Sequence, residues 1–152
     1  MTLGLVVLWL HLIGVVVWMG GVMYQAHVLM PAARAGAVGA FTDAARRARP
    51  ITWAAVAVVV LTGFYNITQL GPLETVMNSG AGMLLVAKFA LVIVAVAVAA
   101  QRDFARLPIL RGAADGGGDA GPELRAIATM DRTVLLIAAI VMYLGVAISR
   151  AR

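Results

Sequence analysis

The sequence predicts an all-α protein, an integral membrane four-helix transmembrane bundle with both termini outside (N-out/C-out), and three observations support this fold class. First, 62% of the 152 residues are hydrophobic and only 12% are charged. Second, the chain contains four apolar runs, each long enough to cross a hydrocarbon core of about 30 Å, which takes about 20 helical residues. Third, the arginines are concentrated between runs one and two and between runs three and four. We therefore expect a single transmembrane domain over 1–152.

The four runs are predicted to be helices, because their apolar residues do not alternate and because lipid offers no partner to free backbone N–H and C=O groups. The predicted helices span about 2–30, 51–69, 80–106 and 123–149. Pro31 and Pro50 bound a segment that is predicted to form a short interfacial helix. The Gly-rich segment 111–122 predicts a flexible cytoplasmic loop.

The charge distribution predicts the orientation of the bundle. Nine arginines lie at one end of it: Arg34, Arg46, Arg47, Arg49, Arg102, Arg106, Arg111, Arg125 and Arg132. Only Arg150 and Arg152 lie at the other end. By the positive-inside rule, the two long connections face the cytoplasm in an inner (cytoplasmic) membrane, and the chain is multi-pass. Because topology accounts for the net charge of +5, we expect lipid and no nucleic acid as a partner.

Residue types limit the chemistry. The chain has no cysteine, which excludes disulfides, thiolate metal sites and covalent haem attachment. The apolar runs themselves, over about 2–30, 51–69, 80–100 and 133–149, contain no acidic residue, so none is expected within the membrane helices, which argues against a carboxylate proton relay. Their charged residue is Lys88, which lies about as deep as His11, counted at about 1.5 Å per residue. Ionisable groups at such depth are costly and usually face a partner inside the bundle.

Further polar residues are expected near the layer of His11 and Lys88. Thr62 and Tyr143 fall at a similar depth, and Thr62, Asn66 and Gln69 form one helical stripe. On the first helix, Met19, Met23 and His27 form a second stripe. Imidazole and thioether groups are suitable ligands for copper(I), although methionines in helices also serve as flexible apolar fillers.

The order of four motifs resembles the CopD/HemJ-like family of small four-helix membrane proteins. The motifs are H-x6-W-M-G-G-x-x-Y from His11 to Tyr24, "LTGFYN", "LLVAKFALVIVAV" and "RTVLLIAAIVMYLGV". Resemblance to HemJ-type protoporphyrinogen oxidases implies haem b and a His and Lys pair, which His11 and Lys88 match. Resemblance to copper resistance D domains implies copper uptake or resistance and rests on Trp18, Gly20, Gly21 and Lys88. The HemJ motifs are incomplete, so an oxidoreductase activity stays open.

Our leading hypothesis from sequence is a haem b-binding protein for electron transfer or porphyrin-linked redox chemistry. His11 would ligate the iron, and Lys88 would be the second ligand or a propionate partner. The pocket would also involve Gly14, Trp18, Thr62, Asn66, Met142 and Tyr143. On this hypothesis the protein would interact with a porphyrin substrate or a redox partner. A homodimer is also expected. The sequence identifies no catalytic residue. The alternatives are copper(I) transport or resistance through His11, Met19, Met23 and His27, and a structural accessory subunit without a cofactor.

Overall fold

The chain folds into four long helices, as a computed structural model describes it for residues 2–69 and 80–150. Helix α1 joins an α-helix at Leu3–Tyr24, a π-helical segment at Gln25–Leu29 and a last turn at Met30–Arg34. Helix α2 is Val38–Thr68. Helix α3 joins Gly80–Gln101, a π-helical segment at Arg102–Arg106 and Leu107–Asp115, and α4 is Gly121–Arg150. Residues 2–69 and 80–150 contain no β-strand.

All four helices are long and apolar enough to cross a membrane, so the predicted all-α four-helix transmembrane architecture is confirmed. Helix α1 packs mainly against α2, and α3 packs mainly against α4. The short connections 35–37 and 116–120 lie at the same end of the bundle, which we call the loop end. The opposite end, where α1 begins and α2 ends, is the terminal end.

The helices extend further toward the loop end than the sequence predicts. Helix α2 begins at Val38 rather than near 51, and it absorbs the segment that was predicted to be a separate interfacial helix. Helix α3 continues to Asp115, so the predicted loop 111–122 shrinks to 116–120.

Burial of apolar side chains explains this extension. A proline inside a helix costs about 3 kcal/mol, and Pro50 lies inside α2. That cost is offset because Phe41 and Ala45, on the loop side of Pro50, are 1% and 4% exposed. Burying one large apolar side chain contributes about 1.5–3 kcal/mol. Packing therefore overrides the local preference to end the helix at the proline.

Two apolar clusters hold the four helices together. The loop-end cluster consists of Met30, Ala33, Phe41, Ala45, Leu107, Leu110, Leu124, Ile127 and Ala128. The central cluster consists of Trp18, Val22, Ala55, Val56, Ala95, Ala99, Val134 and Ile137. Each cluster draws residues from all four helices, so the bundle is tied together at two depths.

Gly14 sets the close approach of α1 to α2, and its substitution tests that packing. A Cβ atom there would lie 2.9 Å from Val59 Cγ2 and 3.3 Å from the Ala55 carbonyl oxygen. We expect Gly14→Ala to destabilise the protein by about 1–3 kcal/mol through overpacking. Gly20→Ala is the control, since a Cβ there meets no heavy atom within 4 Å. Unfolding in mixed micelles, followed by circular dichroism, measures both, and equal stabilities would contradict the prediction.

The orientation of the bundle is tested with single cysteines in this cysteine-free chain. Thr2→Cys places a thiol at the terminal end, and Gly118→Cys places one at the loop end. With the terminal end outside, a membrane-impermeant maleimide labels Thr2→Cys in intact cells and labels Gly118→Cys only after permeabilisation. The reverse pattern would invert the predicted topology.

Candidate functional site

A polar layer in the terminal half of the bundle is built around His11. His11 Nδ1 lies 2.9 Å from Thr62 Oγ1, and that hydroxyl is hydrogen-bonded to the Val58 carbonyl oxygen. A carbonyl only accepts, so the threonine hydroxyl donates to it, and His11 Nδ1 must donate to the threonine oxygen. The imidazole proton is therefore on Nδ1, and the Nε2 lone pair is left available.

Two glycines make room for the polar side chains of this layer. A Cβ atom at Gly63 would lie 3.5 Å from His11 Cε1, so the imidazole lies against the α2 backbone. A Cβ atom at Gly145 would lie 3.4 Å from Lys88 Nζ, so the ammonium group lies against α4. Lys88 is close enough for its charge to act on the His11 ring. The structure thus brings His11 and Thr62 into contact and places Lys88 within the range of an electrostatic interaction with His11.

The other residues predicted to form a haem pocket do not converge on His11. Gly14 is buried against Val58 and Val59 of α2. Trp18 is part of the central cluster, and its Nε1 has no hydrogen-bond partner among the described residues. On α4, Met142 and Tyr143 point outward and are 53% and 72% exposed.

Asn66 follows Thr62 by one helical turn and is half-buried. It lies on the same stripe of α2 as the threonine that His11 contacts. The predicted stripe of Thr62, Asn66 and Gln69 therefore runs along α2 to its last residues, and Gln69 is exposed.

The methionine stripe of α1 turns from the bundle to its outer surface. Met19 is half-buried against the central cluster, whereas Met23 is 57% exposed and His27 is exposed. His27 Nδ1 donates a hydrogen bond to the Met23 carbonyl oxygen at 3.1 Å. In the neutral imidazole this hydrogen bond places the lone pair on Nε2. Within the part of the chain that the structure describes, no group of three or more His, Cys, Asp or Glu side chains is arranged to hold a metal ion.

A second polar layer, which the sequence analysis missed, lies between the central and loop-end clusters. At its centre, the Arg102 guanidinium contacts three side chains. Its Nε lies 2.6 Å from Asp131 Oδ1, its Nη1 lies 2.6 Å from Asp103 Oδ1, and its Nη2 donates to Gln25 Oε1 at 2.6 Å. All four side chains are buried, with 1–6% of each residue exposed. One cation therefore links α1, α3 and α4.

Helix α2 joins the same layer through Asp103. Trp53 Nε1 donates to Asp103 Oδ2 at 3.0 Å, and Arg49 Nη2 donates to the Asp103 carbonyl oxygen at 2.6 Å. The Arg49 guanidinium also lies 5.1 Å from the centre of the Phe104 ring, a cation–π contact. Every helix of the bundle thus contributes to this layer.

The prediction that no acidic residue lies within the membrane helices is wrong, because the helices continue beyond the ends of the apolar runs. Arg102, Asp103 and Asp131 follow or precede the uninterrupted apolar runs, so they were counted as charges outside the membrane segments. The sequence does carry a signal for one of them. Leu124, Ile127, Asp131 and Val134 follow helical spacing, which places Asp131 on the buried stripe of α4.

The two polar layers are evenly separated. His11 and Gln25 on α1, Lys88 and Arg102 on α3, and Asp131 and Gly145 on α4 are each 14 residues apart. At a helical rise of about 1.5 Å per residue, the layers are about 21 Å apart. The central cluster lies between them.

The fold and these layers define a class, a multi-pass membrane protein built as a four-helix bundle with internal polar groups at two depths. Residues 42–148 match the family described as Copper resistance protein D, CopD. Because this match covers more than half of the chain, the protein belongs to the CopD family. Searches among curated proteins and among solved structures give no match. The predicted relation to CopD is confirmed, and the match spans most of α2, α3 and α4.

We call the polar layer around Arg102 the loop-half layer. Removing its central cation, Arg102, tests the structural role of this layer. Arg102→Met leaves two buried carboxylates without their cation, and we expect a loss of about 3–5 kcal/mol in the free energy of unfolding. Adding Asp131→Leu to that variant should recover part of the loss, because one uncompensated charge is removed.

The matched control is Arg111→Met, which breaks the more exposed ion pair of Arg111 with Asp43 and should cost only about 0–1 kcal/mol. Unfolding in mixed micelles gives all three values. A loss for Arg102→Met no larger than that for Arg111→Met would show that the layer contributes little.

Proposed function

We propose that this chain is a copper(I)-handling membrane protein that acts in copper transport or resistance, with the copper ion as its substrate. The observation that carries the proposal is the CopD match over residues 42–148. The match does not include α1, so the candidate ligands on that helix are argued from their own chemistry and geometry.

His11 is the first candidate ligand. A metal-bound imidazole usually donates its other ring N–H to a fixed acceptor, which sets the tautomer and the ring orientation. Thr62 provides that acceptor for His11 Nδ1. The hydrogen bond to Thr62 therefore preorganises His11 Nε2 for binding a metal ion.

The other candidates follow His11 along α1. His11, Met19, Met23 and His27 occupy positions on one line of every fourth residue, which Val15 completes. Steps of four residues advance about 6 Å along a helix and turn about 40° around it, so the line winds from the interior at His11 to the outer surface at His27. Soft thioether groups and imidazoles are the ligands that copper(I) accepts in a chain without cysteine. We infer that copper(I) is passed along this line between the terminal half and the loop end.

Haem b binding is not part of the proposal. The CopD match points to copper, and two predicted walls of a haem pocket, Met142 and Tyr143, are 53% and 72% exposed. The purified protein is expected to lack a Soret band. A Soret band that disappears in His11→Ala would restore the haem interpretation.

Copper binding tests the proposal directly. Purified protein is loaded with copper(I) under reducing conditions, and bound copper and affinity are measured by competition with a chromophoric chelator. We expect His11→Ala and Met23→Leu each to weaken binding by more than about tenfold. Met142→Leu is the matched control, since Met142 is similarly exposed but lies on α4. Equal affinities for Met23→Leu and Met142→Leu, or no copper bound by the unmodified protein, would contradict the proposal.

The hydrogen bond from His11 to Thr62 has its own consequence. Thr62→Val keeps the size of the side chain and removes the acceptor of the His11 Nδ1 proton. We expect copper(I) affinity to fall by about 10–100-fold, as it does when other metal-bound histidines lose the hydrogen-bond acceptor of their second ring nitrogen. Thr68→Val removes a hydroxyl that bonds to the Tyr65 carbonyl on the same helix and should leave the affinity unchanged.

A further inference from the structure

Three charged residues of the loop-half layer are buried, and their charges do not balance by themselves. The second cation of the layer, Arg49, is half-buried and contacts Asp103 rather than Asp131. Arg102 carries one positive charge, and Asp103 and Asp131 carry two negative charges when ionised, while these three residues are 6%, 5% and 1% exposed. A net buried charge is costly in an apolar interior. Addition of one proton to a carboxylate makes the sum of the three charges zero.

The hydrogen bonds show which carboxylate is free to take the proton. Asp103 is held by Arg102 through Oδ1 and by Trp53 Nε1 through Oδ2. Among the described residues, Asp131 is held by Arg102 alone. Its Oδ1 lies 2.6 Å from Nε in an ion pair without hydrogen-bond geometry, and its Oδ2 accepts one long hydrogen bond of 3.5 Å from Nη2. Arg102 divides its donors among Asp131, Asp103 and Gln25. Asp131 is therefore the less strongly held of the two acids.

Among the described residues, the other helices bring no second cation into contact with Asp131. Helix α1 presents the neutral Gln25, and α3 presents Arg102 and Asp103. On α2, Trp53 bonds to Asp103, and the Arg49 guanidinium bonds to the Asp103 carbonyl oxygen rather than to a carboxylate. The neighbour of Asp131 in sequence, Arg132, is exposed.

The backbone around this layer also departs from regular helix. The π-helical segments begin at Gln25 in α1 and at Arg102 in α3, the two residues that meet through the Arg102 Nη2 hydrogen bond. Single π-helical turns are rare and occur frequently at functional sites. Two of them at one depth, beside an acid that depends on a shared cation, point to a site with a function beyond packing.

We propose that Asp131 is a proton-binding site, at which a proton and the Arg102 guanidinium compete for one carboxylate and so control the contact between α3 and α4. Proton binding converts the carboxylate to a neutral carboxylic acid and consumes one proton from water. Arg102 then keeps Asp103 and Gln25 as its partners. The site lies about 21 Å from the His11 layer along the helices, and it needs no metal.

Infrared difference spectroscopy of the full chain in liposomes tests this proposal without copper. Spectra are recorded at a series of pH values in H2O and D2O. On acidification, the unmodified protein is expected to gain a carboxylic-acid C=O band and to lose carboxylate bands. Asp131→Asn should lose one C=O band from this difference spectrum. Asp43→Asn is the control for a more exposed, ion-paired acid and should keep that band.

The conservative variant Asp131→Glu separates proton binding from folding. It retains a carboxyl group, so its C=O band should be present at a shifted frequency even if Asp131→Asn does not fold. Difference spectra that are identical in the unmodified protein and in Asp131→Glu would overturn the proposal. So would a folded Asp131→Asn variant that keeps every C=O band.

A distance measurement tests the control of the helix contact. Spin labels on cysteines at Ala105 of α3 and Thr129 of α4, both exposed, report the separation of the two helices. We expect this separation to change with pH in the otherwise unmodified chain and to be independent of pH in Asp131→Asn. A separation that does not change with pH in the unmodified chain would overturn the second half of the proposal. Copper binding at His11 is measured separately, so failure of either idea is distinguishable from failure of the other.

Discussion

The bundle depends on one guanidinium more than on any other single group. Arg102 bonds to Asp131, Asp103 and Gln25 and so connects three helices at one depth, while Asp103 brings in the fourth through Trp53. A planar fork of fixed N–H groups suits this task, because one arginine can satisfy several acceptors at once. Two apolar clusters on either side exclude water from the layer, which makes each of these bonds stronger and each unpaired group more costly.

This arrangement separates two tasks within one small bundle. The loop half holds the four helices in register through charges. In the terminal half, His11 lies against Gly63 and Lys88 lies against Gly145. The hydrogen bond of His11 Nδ1 to Thr62 leaves its Nε2 for the proposed ligand.

The sequence predicts the class of fold, because apolar runs of sufficient length place four helices. A count of residues along them places His11, Lys88 and Thr62 at one depth, and the structure shows the hydrogen bond between His11 and Thr62. It does not predict which side chains face inward at that depth. Tyr143 lies near the right level but points away from the bundle, since level depends only on the rise of the helix and direction depends on packing.

The loop half was harder to predict because local signals there conflict with tertiary packing. Pro50, the glycines after Asp115 and the arginines are typical of connections, yet Phe41, Leu110 and Ile127 are fully buried between helices. Apolar runs end where charges begin, so the sequence predicts that Arg102 and Asp131 are solvent-exposed residues at the ends of the membrane helices. The pattern could have been recognised only by following the buried stripe of α4 through Asp131.

The two π-helical segments change which residues of α1 and α3 face the interior of the bundle. Along α1 the buried positions run 14, 18, 22 and 25 and then step by five to 30. Along α3 they run 95 and 99, then the adjacent pair 102 and 103, and then 107, so the π-helical turn there adds one extra inward-facing residue. In a regular helix the fifth residue would be turned about 100° further than the fourth. Each π turn absorbs this extra residue as a phase shift. The parallel helices α1 and α3 carry the same phase shift at the same depth. An insertion or deletion that removed the π-helical turn from one helix would rotate its inward-facing residues relative to those of the other helix.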